Sequence, residues 1–231
     1  MKFLTSLGLA LAILAFALGV PLLGWGAADC RGFFSHPARL TYGIATVVQS
    51  VVIGIGFLLL PFSYSPGKRE GQAGKRITRQ SVVPIATRLI WLGVLLVSPW
   101  SDRHDWMVIA GADWLRFLGV LIYLLALAWI YWSFWTLGRQ HSAEVTIQEE
   151  HHLITEGPYR WIRHPMYLGL VAFPAGAALA FGSWVGLALL ILPVGLFLWR
   201  IGDEEKLMRQ EFGERWDAYC EHTWRLIPFI Y

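Results

Sequence analysis

Gly157-Pro158-Tyr159-Arg160-Trp161-Ile162-Arg163-His164-Pro165-Met166-Tyr167-Leu168-Gly169 packs two arginines, a histidine and two tyrosines between apolar segments on both sides. Ionisable groups beside lipid are expensive and default to a functional reading. Pro165 suits the first turn of a helix, where its missing N–H costs nothing. His164, preceding a proline, is pushed towards an extended conformation. The stretch therefore reads as polar loop, helix start and entry into a membrane. A helix N-terminus carries partial positive charge and free N–H groups, so this mouth attracts an anion. Arg163 and Tyr167 are four apart and share one side of that mouth if Arg163 is near-helical. The competing reading is interfacial anchoring, in which arginine and tyrosine snorkel at a helix end. Anchoring accounts for Tyr159, Arg160 and Trp161 but poorly for His164-Pro165.

Outward from this stretch, the apolar runs set the fold class. Leu4–Leu23, Leu40–Phe62, Val82–Trp100 and Asp113–Leu137 are each long enough to span a bilayer. The first is longer than a signal-peptide core and reads as a retained span. Pro165–Phe181 and Trp184–Arg200 form a hairpin about Gly182-Ser183. Each arm covers only about 25 Å at 1.5 Å per residue, so the hairpin need not cross fully. After it, Leu207, Met208, Phe212, Trp216 and Tyr219 recur at roughly helical spacing. That run, 203–216, reads as an amphipathic helix continuous with the last arm and lying near the membrane surface. The expected fold is all-α: a polytopic transmembrane bundle of about six segments, including the C-terminal helical hairpin. Its expected division is 1–110, three N-terminal spans, and 111–231, a core holding the fourth span, the polar loop, the hairpin and the amphipathic helix.

Charge orients the bundle. The loop Tyr64–Gln80 carries Lys68, Arg69, Lys75, Arg76 and Arg79 against Glu70, the strongest positive-inside signal in the chain. Arg139, Arg160, Arg163, Arg200, Lys206, Arg209, Arg215 and Arg225 fall on the same side. Arg31, Arg39, Arg103 and Arg116 fall on the other, where Ser101–Asp105 reads as a short, charge-balanced loop. Both termini and the central stretch are then cytoplasmic, in an inner or cell membrane.

Composition excludes other classes. Of 231 residues, 56% are hydrophobic and 15% charged, too apolar for an ordinary soluble domain. The abundant tryptophans and tyrosines suit the membrane–water interface. No basic tract interleaved with aromatics supports nucleic-acid binding. Cys30 and Cys220, placed on opposite sides by this topology, give no disulfide framework. His141, His151 and His152 lie near Glu149 and Glu150 without metal-ligand spacing, so a solvated loop is the better reading and no metal is expected. No glycine-rich dinucleotide fingerprint or nucleophile elbow is present.

Glu204-Glu205 follow the hairpin. Adjacent acids after a span usually mark a solvated helix start. The hairpin returns the chain to the side it left, however, so both can emerge near His164. A pocket of arginine, histidine and two carboxylates suits a zwitterionic cofactor with an ammonium, a carboxylate and ribose hydroxyls.

The sequence resembles the isoprenylcysteine carboxyl methyltransferase family. The resemblance rests on Leu137-Gly138-Arg139, Leu153–Arg160, Arg163-His164-Pro165-Met166-Tyr167-Leu168-Gly169 and Glu204-Glu205. Phe212-Gly213, Tyr219 and Arg225-Leu226-Ile227-Pro228 also look like the family's C-terminal end, and phospholipid methyltransferases share much of the pattern. It covers roughly the last 100 residues; residues 1–110 carry no signature. It implies an integral membrane enzyme using S-adenosylmethionine in a cytoplasmic pocket. Arg163, His164, Tyr167, Gly169, Glu204 and Glu205 then contribute to cofactor binding, with Tyr159 and Arg160.

A carboxylate acceptor is ionised at neutral pH and needs only a cation to hold it, for which Arg163, Arg225 and Arg160 are available. A thiol or amine acceptor needs a base, His164 or a glutamate. Arg163, His164 and Arg225 are thus the catalytic candidates. The expected partners are the bilayer and a lipophilic small-molecule or prenylated substrate. Other readings are a phospholipid N-methyltransferase, an NADPH-dependent sterol-reductase-like enzyme and a non-catalytic membrane subunit.

Overall fold

A computed structural model describes residues 2–59, 80, 82–111, 113–138 and 153–231. The order is α1 (Lys2–Leu14), a π-helical turn (Ala15–Gly19), α2 (Val20–Trp25), α3 (Cys30–Phe34), α4 (Pro37–Leu59), α5 (Val82–Arg103) and α6 (Asp113–Leu137). A 3₁₀ turn (Gly157–Arg160) follows, then α7 (Pro165–Ala180), α8 (Trp184–Leu189), α9 (Ile191–Phe212) and α10 (Glu214–Glu221). Among the described residues, extended pairing is limited to isolated bridges.

Five helical stretches are long and apolar enough to cross a bilayer: Phe3–Trp25, Pro37–Leu59, Val82–Arg103, Asp113–Leu137 and Trp184–Phe212; Pro165–Ala180 is a shorter apolar helix. Leu4, Leu59 and Ile191 turn most of their surface outward. So much exposed apolar surface calls for a lipid surround, and helices keep their backbone groups satisfied within it. The chain is a multi-pass membrane protein, with all six expected segments helical over their described residues.

The chain divides into two compact units. The first comprises Met1–Phe62, Leu89–Leu125 and Ala172–Ile191. Within it the Tyr42 hydroxyl donates to the Ala17 carbonyl, inside the π-helical turn, at 2.5 Å. Phe33, Tyr42 and Phe181 pack ring against ring, and Val94, Ala178 and Leu190 form a small buried cluster. Gly119 and Gly176 let α6 and α7 touch: a Cβ on either would stand 2.4 Å from backbone nitrogen of the facing helix. Gly182, at φ +61°, turns the hairpin, and the Ser183 hydroxyl accepts from Gly186 N to start α8.

The run Ser101–Asp105 departs from the short, charge-balanced loop expected of it. Helix α5 continues through Arg103, and Asp102 is buried between two arginines. Arg39 donates to Asp102 at 2.8 Å, and Arg116 grips both carboxylate oxygens at 2.6 and 3.0 Å. A local charge count misses such a cluster because its cations come from helices distant in sequence.

The second unit comprises Ser63–Arg88, Ala126–Val171 and Leu192–Tyr231. Pro165 opens α7 as expected, its carbonyl accepting from Trp129 Nε1 at 2.9 Å. The second hairpin arm is interrupted at Leu190, between α8 and α9. The amphipathic run is continuous with α9 only to Phe212. Gly213, at φ +54°, breaks it before α10, since left-handed backbone cannot continue an α-helix. The basic loop 64–80, apart from Gln80, lies outside the described residues, as do Arg139, His141, Glu149, Glu150, His151 and His152.

Candidate active site

Two backbone strands of chain set the site within the second unit. Trp161–His164 runs beside Trp224–Arg225: Trp224 N donates to Trp161 O at 3.0 Å, Arg163 N to Trp224 O at 2.8 Å, and His164 N to Arg225 O at 3.0 Å. This pairing brings Arg225, 62 positions beyond Arg163, to the same point. Helix α9 supplies Glu204 and Glu205 opposite.

Glu205 holds two guanidinium groups. Its Oε1 accepts from Arg163 Nε at 3.0 Å, and its Oε2 from Arg225 Nε at 2.8 Å. The Arg163 side chain is 9% exposed and that of Glu205 11%. Arg163 Nη1 also donates to the carbonyls of Cys220 and Thr223 and to the Thr223 hydroxyl, so its planar fork is engaged on several edges.

Glu204 is held differently. Its Oε1 accepts from the Tyr167 hydroxyl at 2.6 Å and from Arg200 Nε at 3.0 Å. The Tyr167 hydroxyl in turn accepts from Arg200 Nε at 2.7 Å. The Tyr167 ring stacks on Phe197 with centroids 4.8 Å apart and on His164 at 5.8 Å.

His164 lies between the carboxylates, its Nδ1 3.6 Å from Glu204 Oε2 and its Nε2 3.5 Å from Glu205 Oε1. Nε2 is buried without a hydrogen bond. A buried ring nitrogen without a short hydrogen bond is costly, and its place 3.5 Å from one acid, with a second acid on the other ring nitrogen, suits the handling of a proton.

The structure thus brings together Arg163, His164, Tyr167, Glu204, Glu205 and Arg225. Tyr159 is buried behind them, its carbonyl accepting from the Tyr219 hydroxyl at 2.6 Å; burial pushes the pKa of both phenols well above the ordinary tyrosine range, so both stay protonated. Arg160 stands apart: it is exposed and lies over the Trp161 ring at 5.1 Å, as an interfacial anchor would. Gly169 faces α6, where a Cβ would meet Ile130 Cγ1 at 2.5 Å and the Ala126 carbonyl at 3.2 Å, so its smallness serves helix packing. Sequence reasoning missed Arg200, which it counted only as a basic residue of one membrane side. Its spacing of four from Glu204 was the available signal. It also missed Thr223, which carries no chemical pattern of its own.

With this geometry in place, comparison with known proteins is informative. Residues 114–215 match the phospholipid methyltransferase family. This match contains the polar stretch and the paired glutamates. Protein-S-isoprenylcysteine O-methyltransferase A of Arabidopsis thaliana is 32% identical over 98 residues, 41% of this chain and 50% of that protein. The Schizosaccharomyces pombe protein-S-isoprenylcysteine O-methyltransferase is 31% identical over 83 residues, 36% of this chain and 35% of its own. The chain spans at most about half the length of these curated relatives. A solved eukaryotic intramembrane Ras methyltransferase, isoprenylcysteine carboxyl methyltransferase, superposes with a TM-score of 0.54 at 16% identity, covering 97% of this chain and 77% of that one. That likeness is one of fold, and it extends over the N-terminal region where the sequence carries no family signature.

Proposed function

We propose that the chain is an integral membrane methyltransferase of the isoprenylcysteine carboxyl methyltransferase type, using S-adenosylmethionine and acting on a lipophilic carboxylate, thiol or amine. The observation that carries this reading is His164, buried between Glu204 and Glu205 with Nε2 unsatisfied, beside the guanidiniums of Arg163 and Arg225. The donor set fits a zwitterion: carboxylate oxygens suit an ammonium or ribose hydroxyls, and Arg225, whose side chain is 42% exposed, suits a carboxylate. When bound, the cofactor supplies a methyl group activated by its sulfonium.

The chain's own groups do the rest. Arg163 fixes Glu205 and ties α9 to the Cys220–Thr223 backbone. Tyr167 and Arg200 fix Glu204 Oε1 and leave its Oε2 directed at His164. His164 Nε2 can accept a proton from a thiol or amine acceptor, whereas a carboxylate acceptor needs none and is held by Arg225. In this reading the site and both termini are cytoplasmic, in a cell membrane.

A second reading, phospholipid N-methylation, draws support from the family matched by residues 114–215. The test is methyl transfer from radiolabelled S-adenosylmethionine by the full chain in nanodiscs. The acceptors are a prenylcysteine, an alkyl thiol and phosphatidylethanolamine. Label in the first or second acceptor is the expected result, and label in phosphatidylethanolamine alone selects the second reading. No transfer, together with thermal protection by NADPH and none by S-adenosylmethionine, would overturn both.

A further inference from the structure

We propose that Tyr231 is a positioning residue of this site: its ring and hydroxyl hold the Arg225 guanidinium on Glu205. The inference rests on the proposed function only in assigning Arg225 to cofactor or acceptor binding. Arg225 spends Nε on Glu205 Oε2 at 2.8 Å. Its Nη1 donates to the Tyr231 hydroxyl at 3.2 Å, and its guanidinium carbon lies 5.2 Å from the Tyr231 ring centroid. One side chain thus meets Arg225 with its hydroxyl at an N–H group and with its ring face toward the guanidinium carbon.

The need for such a partner follows from exposure. Arg163 is walled in by Glu205 and by the Cys220 and Thr223 carbonyls, whereas the Arg225 side chain is 42% exposed. A half-exposed arginine with one carboxylate partner loses considerable rotamer entropy when held in a single geometry. A ring lying against the guanidinium restricts the alternatives.

The segment after Arg225 is folded to deliver that ring. Leu226 N and Ile227 N both donate to Tyr231 O, at 2.8 and 3.0 Å, and Tyr231 N returns a bond to Ile227 O at 3.0 Å. Phe229 sits at φ +66°, a turn conformation unusual for a bulky residue, and its ring packs on Trp224 with centroids 4.7 Å apart. Trp224 belongs to the backbone pairing that places Arg163 and His164. The turn is therefore seated on the same segment that it braces.

The test uses the full chain in nanodiscs, with folding of each variant checked by thermal melt. Tyr231→Leu keeps the backbone closure and removes ring and hydroxyl, while Tyr231→Phe restores the ring. Calorimetry with S-adenosylmethionine should show affinity falling about three- to tenfold in Tyr231→Leu, with most of it regained in Tyr231→Phe. In an Arg225→Gln background, Tyr231→Leu should have no further effect. An undiminished effect in that background, or none in the wild type, overturns the proposal. A second readout needs no cofactor: hydrogen exchange of the Arg225 Nε–H in arginine-labelled protein, its signal identified by loss in Arg225→Gln. Exchange should quicken in Tyr231→Leu, and unchanged exchange overturns the proposal. If the wild type binds no S-adenosylmethionine, the proposed function fails, and the exchange measurement alone decides on Tyr231.

Discussion

Glu205 is shared between two arginines, its Oε1 accepting from Arg163 and its Oε2 from Arg225. The sequence brings it to the site as an acceptor for a ligand, yet both of its oxygens are taken by guanidiniums. Glu205→Gln therefore turns an amide NH₂ toward one of two arginines. Melts should fall by about 3 kcal/mol of stability, the scale of breaking a largely buried pair, alongside any loss of cofactor affinity. An unchanged melting temperature would mean that the pairs contribute little to folding. Arg163→Lys keeps the charge but cannot engage Glu205 and the Thr223 and Cys220 carbonyls together, so affinity and stability should both drop despite the conserved charge. Nearby, burial pushes the Cys220 thiol above its usual range, partly offset by Arg163. Thiolate is then scarce at neutral pH. In a Cys30→Ser background, alkylation of Cys220 by iodoacetamide should be slow at pH 7 and accelerate with rising pH beyond the point where an ordinary thiol levels off. Rates that level off as a free thiol's do would contradict the burial.

At the scale of elements, hydropathy and proline placement carried most of the information. All six apolar segments were legible, and Pro165 marked the start of α7, because span length and helix starts are local properties. Breaks at Leu190 and Gly213 were not read, although Gly213 is the residue type that ends helices and Pro193 the type found in their first turn; the unbroken apolar and amphipathic patterns outweighed both signals. The Asp102 cluster was missed for the converse reason: its meaning lies in Arg39 on α4 and Arg116 on α6, each far along the chain. Arg39 is further tied to the Phe33 carbonyl at 2.7 Å and lies over the Trp25 ring at 4.4 Å. Asp102→Ala would leave two buried guanidiniums facing each other. It should cost about 3–5 kcal/mol in denaturant or thermal unfolding, while Asp105→Asn, on the exposed turn beyond α5 where φ is +49° and asparagine is equally tolerated, should be near neutral. Equal effects from the two would return Ser101–Asp105 to a short, charge-balanced loop.

For the whole molecule, orientation is the property that the proposed chemistry depends on, and the proposed orientation rests on charge asymmetry rather than on any contact. A site fed by a soluble, charged cofactor must open to the compartment that holds it. The basic run Lys68, Arg69, Lys75, Arg76 and Arg79 lies between two spans, and basic residues in short loops are retained on the cytoplasmic side. On the proposed topology the chain crosses with α5 and returns with α6 before reaching the polar stretch, which puts the basic loop and the polar stretch on one side of the membrane. A single cysteine at Ser65, in a chain with Cys30 and Cys220 replaced by serine, should resist a membrane-impermeant maleimide in intact cells and react once the membrane is permeabilised. A cysteine replacing Asp105, in the turn between α5 and α6, should behave oppositely. Reversed labelling at both positions would put the Arg163–Glu205 site on the outer face, away from cytoplasmic S-adenosylmethionine. The proposed cofactor would then fail even though every contact in the site remained as described.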